Sequence, residues 1–140
     1  MEVVRLYIKG DKEKGFVDQM ILQSGLGIVG QAKGKDGDRQ ISILSLEDRR
    51  DIQEMSEPGL CTGRFRENIT IHRLEVEKFH PGDQVNIGNA TIEVTKIEKD
   101  CFPQCPLVKN KKKCSLTKGV IYARVVTGGV LQRGDKVSKI

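Results

Sequence analysis

Three of the chain's four cysteines, Cys101, Cys105 and Cys114, lie in one short stretch of the sequence. Pro103 and Pro106 lie close to Cys105 and cannot donate hydrogen bonds to a sheet, so the stretch is predicted to be a loop rather than a strand. A cysteine-rich loop between two β-branched runs is compatible with sulfur or redox chemistry, with a metal site or with a disulfide. The rest of the sequence must decide among these.

Sulfur chemistry requires a thiolate, and neighbouring positive charge favours the deprotonated thiol. Lys99 and four lysines between positions 109 and 113 supply that charge beside Cys101. Cys105 is only four residues away and could resolve a persulfide or disulfide by exchange. Cys61, by contrast, follows Leu60 far from the cluster and suits the role of a small buried hydrophobe.

A structural zinc site is the alternative for the same cysteines. Zinc prefers four tetrahedral ligands, usually from paired short spacings, and this chain has no Cys-x-x-Cys pair. The three clustered cysteines with either Cys61 or His72 would complete four ligands. The spacing does not demand this arrangement, so zinc remains an alternative.

Arg64-Phe-Arg66 is a second group with possible chemistry. Two guanidinium groups two residues apart in a loop can bind an anion such as phosphate in a bidentate manner. The alternative is a polar loop in which an arginine pairs with Glu67, since surface ion pairs are common and contribute little.

Length and composition predict one soluble domain over residues 1–140, with 37% hydrophobic residues and a net charge of +5. There is no apolar run long enough for a membrane span and no signal-peptide pattern at the start, which predicts a cytoplasmic protein with reduced thiols and no membrane partner. Four Phe, two Tyr and no Trp are few stacking groups, so nucleic acid is not an expected partner.

Many short β-type runs separated by glycine turns predict a mainly β fold, a closed or partly open β-barrel with one or two short helices. Ser45 is predicted to cap a helix that ends near Met55, because serine followed by acidic residues suits a helix N-terminus. Residues 25–34 are predicted to be a flexible glycine-rich loop. Gly88-Asn89 predicts a tight hairpin, and Gly-Asp-x-Val recurs before two strands. The predicted strands are 3–8, 16–22, 40–44, 69–71, 85–87, 90–97, 119–126 and 137–140.

An ordered set of motifs resembles the MOSC domain, the C-terminal domain of molybdenum cofactor sulfurase, and in particular the small stand-alone bacterial members. The resemblance covers nearly the whole chain. It consists of the following segments, in chain order: Arg39-Gln-Ile-Ser-Ile-Leu44, Gly63-Arg-Phe-Arg-Glu-Asn-Ile-Thr70, Gly82-Asp83, Ile87-Gly88, Val94-Thr95, the three clustered cysteines, Gly119 to Gly129, and Gly134-Asp135.

This resemblance implies a β-barrel that carries sulfur, or binds molybdenum cofactor (molybdopterin), through a cysteine. The family's key cysteine follows the Val-Thr strand, a position that Cys101 occupies here, and in larger relatives this cysteine is a molybdenum ligand. Cys105 and Cys114 would assist it. The family's basic and polar contacts to the pterin and its phosphate correspond to Arg39, Arg64, Arg66 and Asn68, and Lys99 is placed with them.

The sequence also departs from the family pattern. Small relatives often have Gly-Asp-Ala-His in the glycine-rich loop, where this chain has Gly30-Gln-Ala-Lys33, so an acid–base or metal role of that loop is in doubt. The full sulfurase has a pyridoxal-phosphate desulfurase domain for which 140 residues leave no room. Sulfur would then come from a partner such as a cysteine desulfurase and pass to a molybdoenzyme, and turnover by the chain alone stays open. We also expect the loop from Cys101 to Cys114 to become ordered when a ligand binds.

Overall fold

The computed structural model describes residues 1–10, 15–32, 37–55, 65–97 and 119–140, together with Cys105, Lys109 and Leu116. The helices with defined bounds are α1 (Leu46–Gln53) and two short 3-10 helices, Gly37–Arg39 and Val76–Lys78, and the backbone is also helical at Lys109, Leu116 and Gly119. The strands are β1 (Glu2–Ile8), β2 (Gly15–Val17), β3 (Gln19–Gln23), β4 (Gly27–Ile28), β5 (Ile41–Ser45), β6 (Ile69–His72), β7 (Gln84–Ile87), β8 (Ala90–Ile97), β9 (Ile121–Thr127), β10 (Gly129–Gln132) and β11 (Val137–Lys139).

Eight of the strands form one curled sheet in the order β11-β7-β8-β9-β5-β6-β1-β2, and β10-β3-β4 form a second, smaller sheet. The main core lies between them: Leu6, Ile41 and Ile92 of the large sheet are fully buried with Leu22 and Leu131 of the small sheet. The predicted mainly β, partly open barrel with a short helix is confirmed. No helix among the described residues is long and apolar enough to cross a membrane.

Helix α1 connects the two strands of the large sheet that run parallel. β5 and β6 pair in parallel register, with Ile43 opposite Ile69, whereas every other pairing of named strands is antiparallel. Parallel neighbours need a crossover connection, and a helix is the usual solution. The helix begins as the sequence predicts, because Ser45 Oγ accepts a hydrogen bond from the Asp48 N–H at 3.0 Å. It therefore covers the outer face of the sheet beside β5.

The predicted hairpin and the repeated Gly-Asp-x-Val motif both form defined turns. Gly88 has φ +55° at the first position of the two-residue loop between β7 and β8, as a type II′ turn requires. Gly82 and Gly134 have φ +95° and +93°. The carboxylates of Asp83 and Asp135 each accept a hydrogen bond at 2.8 Å from the N–H three residues earlier. Both copies of the motif thus form the same kind of turn directly before a strand. These strands, β7 and β11, pair with each other.

Two of the predicted segments differ from the structure. The single strand predicted over 16–22 is two strands, because the chain changes sheets at Asp18: β2 pairs with β1, and β3 pairs with β10 and β4. The glycine-rich segment predicted as a flexible loop contains β4, whose Gly27 and Ile28 are buried. In both cases, pairing with distant parts of the chain overrides the local glycine and turn signals.

Candidate functional site

The outer face of β5, between β6 and β9, carries the polar residues that the sequence singled out. Ile41 and Ile43 point into the main core, whereas Leu44 belongs to a second apolar cluster with Ile52 of α1 and Tyr122 of β9. The alternation of side chains along a strand therefore places Ser42 and Leu44 together on the outer face. This face is the candidate site.

Asn68 is held at this face by hydrogen bonds that use its whole amide group. Its Oδ1 accepts from the N–H of Ser42 at 3.0 Å and from Ser42 Oγ at 3.1 Å. Its Nδ2 donates to the Tyr7 carbonyl at 3.0 Å and to Gln31 Oε1 at 2.6 Å. Since an amide offers two donors and two acceptor positions, none is left for a ligand. The predicted direct contact of Asn68 with a cofactor is at odds with this geometry, which gives the residue a positioning role.

Gln31 connects three separate parts of the site. Its Oε1 accepts from Asn68 and from the N–H of Lys9 at 3.2 Å, and its Nε2 donates to the carbonyl of Gln40 at 3.3 Å. Gln31 is therefore a hub of hydrogen bonds at this site. It keeps the acceptor that Asn68 requires, and its neutral amide adds a donor that a carboxylate lacks.

A buried ion pair joins α1 to the segment that leads into β6. Arg49 and Glu67 have side chains only 3% and 4% exposed, and Arg49 Nε lies 3.1 Å from Glu67 Oε1. Glu67 Oε2 also accepts from Thr70 Oγ1 at 3.0 Å, and Arg49 Nη2 donates to the Phe65 carbonyl at 3.1 Å. The pair fixes the chain on both sides of Arg66.

Two cations lie over aromatic rings at the edges of this face. The Lys9 ammonium is 5.2 Å from the centre of the Phe65 ring, and the Arg39 guanidinium is 5.0 Å from the centre of the Tyr122 ring. Such stacking holds a long side chain in place. Arg39 is exposed, which suits its predicted contact with an anionic cofactor.

The carboxylate of Asp48 is half-buried and lies beside Gly119, two residues before β9 begins. Burial raises the pKa of Asp48, the nearby charges of Asp51 and Glu47 add to that shift, and the hydrogen bond with Ser45 opposes it. A side chain at Gly119 would collide with this carboxylate. A residue with a side chain there would have to displace the Asp48 carboxylate.

Arg66 is exposed and lines a cleft with Arg5, Asp18 and Arg133. Glu67, the partner that the sequence offered for it, is engaged by Arg49 instead, so the alternative of an Arg66–Glu67 pair is wrong. β1, which forms one wall of that cleft, is separated from β9 and Tyr122 by β6 and β5, roughly 14 Å at the usual strand spacing. Arg66 and Arg39 therefore belong to different parts of the surface.

Most of the predicted cysteine site falls outside the described residues. Cys101, Cys114, Lys99 and Arg64 lie there, as does the predicted ordering of the segment on ligand binding. Cys105 is described and is 7% exposed. Within the described part of the chain, no three His, Cys, Asp or Glu side chains lie close enough to share a metal ion, which leaves the zinc alternative a prediction.

The end of the cysteine-containing segment is fixed at the candidate site. Leu116 is 2% exposed and packs in the second cluster with Leu44, Val120 and Tyr122. Leu116, two residues after Cys114 in the sequence, thus lies at the outer face of β5.

Sequence reasoning missed Gln31 and Arg49. Arg49 could have been recognised from the predicted helix, because its spacing from Leu46 and Ile52 places it on the buried face, where arginine needs a partner. Gln31 gave no local signal, since its partners are distant in the sequence.

Comparisons with known proteins agree with this architecture. A sequence model described as the MOSC domain matches residues 28–138. No curated protein gave a significant match. Among solved structures, YuaD from Bacillus subtilis has a TM-score of 0.70 and 21% identity over 97% of this chain and 93% of its own. YiiM from Geobacillus stearothermophilus has a TM-score of 0.66 and 17% identity over 99% of this chain and 74% of its own.

A structure described only as a hypothetical protein has a TM-score of 0.66 and 20% identity over 98% of this chain, which spans 65% of that protein's length. At these identities the structures establish the shared fold, while the sequence model covers most of the chain. The chain belongs to the MOSC domain family.

Proposed function

We propose that this protein is a MOSC domain that carries sulfur, or binds molybdenum cofactor, through a reactive cysteine of the 101–114 segment. The family is associated with molybdenum cofactor sulfurases. The observation that supports the proposal is the packing of Leu116, two residues after Cys114, in one cluster with Leu44 and Tyr122, whose ring carries the guanidinium of Arg39. Chain segments that carry reactive groups are commonly positioned in this way by a rigid sheet.

Cys101 is the proposed nucleophile, and Cys105 and Cys114 are the assisting thiols. Cys105 is almost fully buried, so an external donor or alkylating reagent has poor access to its sulfur. A reactive thiol must instead be accessible and close to positive charge. Lys99 lies two residues before Cys101 in the sequence and offers that charge.

The proposed sulfur step needs a persulfide donor and no added oxidant. The Cys101 thiolate attacks the outer sulfur of a persulfide on the donor, such as a cysteine desulfurase. A new S–S bond forms on Cys101, and the donor's sulfur–sulfur bond breaks to release its thiolate. A thiolate of the acceptor, such as a molybdoenzyme, would then attack the outer sulfur, and the S–S bond on Cys101 would break to return Cys101 to the thiolate. The same thiolate chemistry allows Cys105 to compete as a resolving thiol.

The described residues fit an anionic cofactor in part. The Arg39 guanidinium, stacked on Tyr122, offers donors to a phosphate or pterin edge, and Arg64 is a second proposed contact. Asn68 and Gln31 hold the backbone of β5 and of the glycine-rich segment in place around this position. When bound, molybdenum cofactor would supply a redox-active metal and a terminal sulfur, and the chain's residues would orient it and exclude water.

The experiment is sulfur loading followed by intact-protein mass spectrometry. Reduced protein incubated with a cysteine desulfurase and cysteine should gain the mass of one sulfur atom. Cys101→Ser should lose most of this gain, whereas Cys61→Ala, the matched control outside the cluster, should keep it. Cys105→Ser should load sulfur and retain it longer than the wild type.

Equal loading of wild type and Cys101→Ser would contradict the assignment of the nucleophile. The alternative of a structural zinc site predicts a different experimental result. A protein purified with one equivalent of zinc that unfolds on chelation holds a structural metal, because the free energy of metal binding then contributes to folding. In that case the cysteines would be ligands and the sulfur-carrier proposal would be abandoned.

A further inference from the structure

The outer face of the small sheet carries a row of exposed apolar side chains, one from each of its three parts. Ile21 of β3 lies opposite Val130 of β10 in the antiparallel register. The pairing of β3 with β4 continues one residue beyond β4, because the N–H of Val29 donates to the carbonyl of Ile21 at 2.9 Å. Residues opposite each other in a sheet point to the same side. Val130, Ile21 and Val29 therefore form one apolar row, and they are 38%, 52% and 36% exposed.

The neighbouring side chains on β3 and β10 show that this row cannot turn inward. Met20, Leu22 and Leu131 alternate with the row, belong to the main core and are at most 2% exposed. Because side chains alternate between the two faces of a sheet, burying Ile21 or Val130 would bring core residues to the surface. A single exposed apolar side chain is common, but a contiguous row is a patch that gains free energy when it leaves water.

The positions around the apolar row are polar and neutral. Gln19 and Gln132 pair with each other on one side of the row, and Gln23 follows on the other. The nearest charged residues along β3 and β10, Asp18 and Arg133, pair with each other at 2.9 Å. A glutamine amide both donates and accepts hydrogen bonds, so such a surface is complementary to a copy of itself. The apolar row and these three glutamines together are called the neutral patch.

Charge favours a second copy of the chain as the occupant of this patch. The chain has a net charge of +5, so two copies repel each other where their charged surfaces approach. Contact through the neutral patch brings no like charges together and removes no ion from water. An acidic protein or a nucleic acid would instead be recognised by basic side chains, which the patch lacks.

We infer that the neutral patch is the contact surface of a weak, two-fold symmetric dimer of this chain. In such a dimer the apolar row of one copy packs on that of the other, and the glutamines form the rim. With four or five residues in β10 and β3, the face of the small sheet covers about 200 Å². A stable interface needs about 800 Å² from each partner, so we expect a dissociation constant on the order of 100 μM.

The inference does not rest on the proposed function. No residue of the neutral patch takes part in the proposed sulfur chemistry or in the proposed cofactor contacts. Sulfur loading and dimer formation can therefore each fail without the other.

The test is sedimentation velocity of the full chain, under reducing conditions, from about 10 μM to about 1 mM. The average mass should rise with concentration from that of the monomer towards twice that value. Val130→Lys should weaken the association by about tenfold or more, because the two-fold axis brings both new charges into one interface.

Val126→Lys is the matched control. Val126 is also a strand valine, on β9 of the large sheet, and its exposure of 36% is close to the 38% of Val130. The same substitution therefore has the same cost for the strand in both places, and Val126→Lys should associate as the wild type does. The melting temperature of each variant at low concentration shows that it is folded.

Salt dependence separates this dimer from an association held by charges. Raising the salt concentration from about 0.05 M to about 0.5 M screens the repulsion between the two positively charged copies. The wild-type dimer should therefore become tighter. Contacts between acidic and basic surfaces of two copies would become weaker instead.

Three results would overturn the inference: a chain that stays monomeric at about 1 mM, a Val130→Lys variant that associates as strongly as the wild type, and a dimer that weakens as salt is added. In the first case the apolar row would serve only the sheet itself, since cross-strand pairs of β-branched residues stabilise a sheet without any partner.

Discussion

Replacing Glu67 by glutamine should destabilise the protein strongly, because it removes the charge that compensates Arg49. Both side chains are almost fully buried. Glutamine has nearly the same shape, so the substitution tests the charge rather than the packing. Removing one partner of a buried ion pair typically costs 3–5 kcal/mol, since the other charge is left without compensation. We expect about 3 kcal/mol, at the lower end, because the glutamine oxygen can still accept one hydrogen bond.

The magnitude follows from the contacts that are lost. Glu67 accepts hydrogen bonds from Arg49 through both carboxylate oxygens and from Thr70 through Oε2. Glutamine turns one of those oxygens into a donor that faces another donor. For a chain of 140 residues, a loss of about 3 kcal/mol lowers the melting temperature by about 10 °C.

Urea unfolding followed by circular dichroism measures this effect, and an unchanged m-value would show that the folded and unfolded states keep their compactness. The double variant Arg49→Met with Glu67→Leu should cost less than Glu67→Leu alone, because it removes both charges together. It will not be neutral, since the Phe65 carbonyl and the Thr70 hydroxyl lose their partners, at about 1 kcal/mol each.

A loss of less than about 1 kcal/mol for Glu67→Gln would refute the reasoning. It would mean that water reaches Arg49 or that the carboxylate contributes little in the folded state. A double variant that is less stable than Glu67→Leu would also refute the reasoning. The uncompensated charge of Arg49 would then not explain the loss of stability.

Three further substitutions test other parts of the structure. Asn68→Asp removes both N–H donors of a buried amide and should cost at least about 2 kcal/mol in urea unfolding. Asp83→Asn should lower stability at pH 7, and the difference from the wild type should shrink in acid, because the backbone N–H of the residue three positions earlier and then Lys139 lower the pKa of Asp83. Stability from a lowered carboxyl pKa is present above the unfolded value of about 3.9 and lost as the pH falls through the folded value. Gly128→Ala should cost about 1–3 kcal/mol, since its Cβ would lie 2.6 Å from the Leu22 carbonyl oxygen.

Each of these has a control or a contradictory outcome. Gly37→Ala is the control for Gly128→Ala, because its Cβ would meet no atom within 4 Å, and it should change stability by less than about 0.5 kcal/mol. Parallel stability curves for Asp83→Asn and the wild type from pH 7 to pH 3 would contradict the pKa argument. An Asn68→Asp variant as stable as the wild type would mean that the hydrogen bonds of the amide are not formed.

The parts of the fold that the sequence predicted depend on residues close together in the chain. Ser45 caps α1 through a hydrogen bond to a residue three positions later, and Gly88 provides the positive φ of a two-residue turn. The Gly-Asp turns before β7 and β11 likewise close within four residues. Such geometry is set by local sterics and local hydrogen bonds, so it can be recognised without knowledge of the neighbouring strands.

The parts that were not predicted depend on distant partners. Asp18 separates two strands because β3 pairs with β10, more than a hundred residues later in the chain. Asn68 is a residue type that often contacts ligands. Its amide, however, already makes hydrogen bonds with Ser42, Tyr7 and Gln31. A sequence motif identifies which polar groups meet and does not show whether any of their hydrogen-bonding capacity is left.

Gln31 bears on the charge of the candidate site. An acid at this position would accept the same hydrogen bond from Asn68, and it would place a negative charge near Lys9, whose N–H donates to the same side chain. Glutamine retains the acceptor, removes that charge and gains a donor to the Gln40 carbonyl, which directly follows Arg39. The field of Lys9 and Arg39 is then not offset by a carboxylate at position 31, and electrostatic attraction falls slowly with distance in a partly buried site. The neutral amide at position 31 therefore adds no negative charge to this face and cannot serve as a general acid or base.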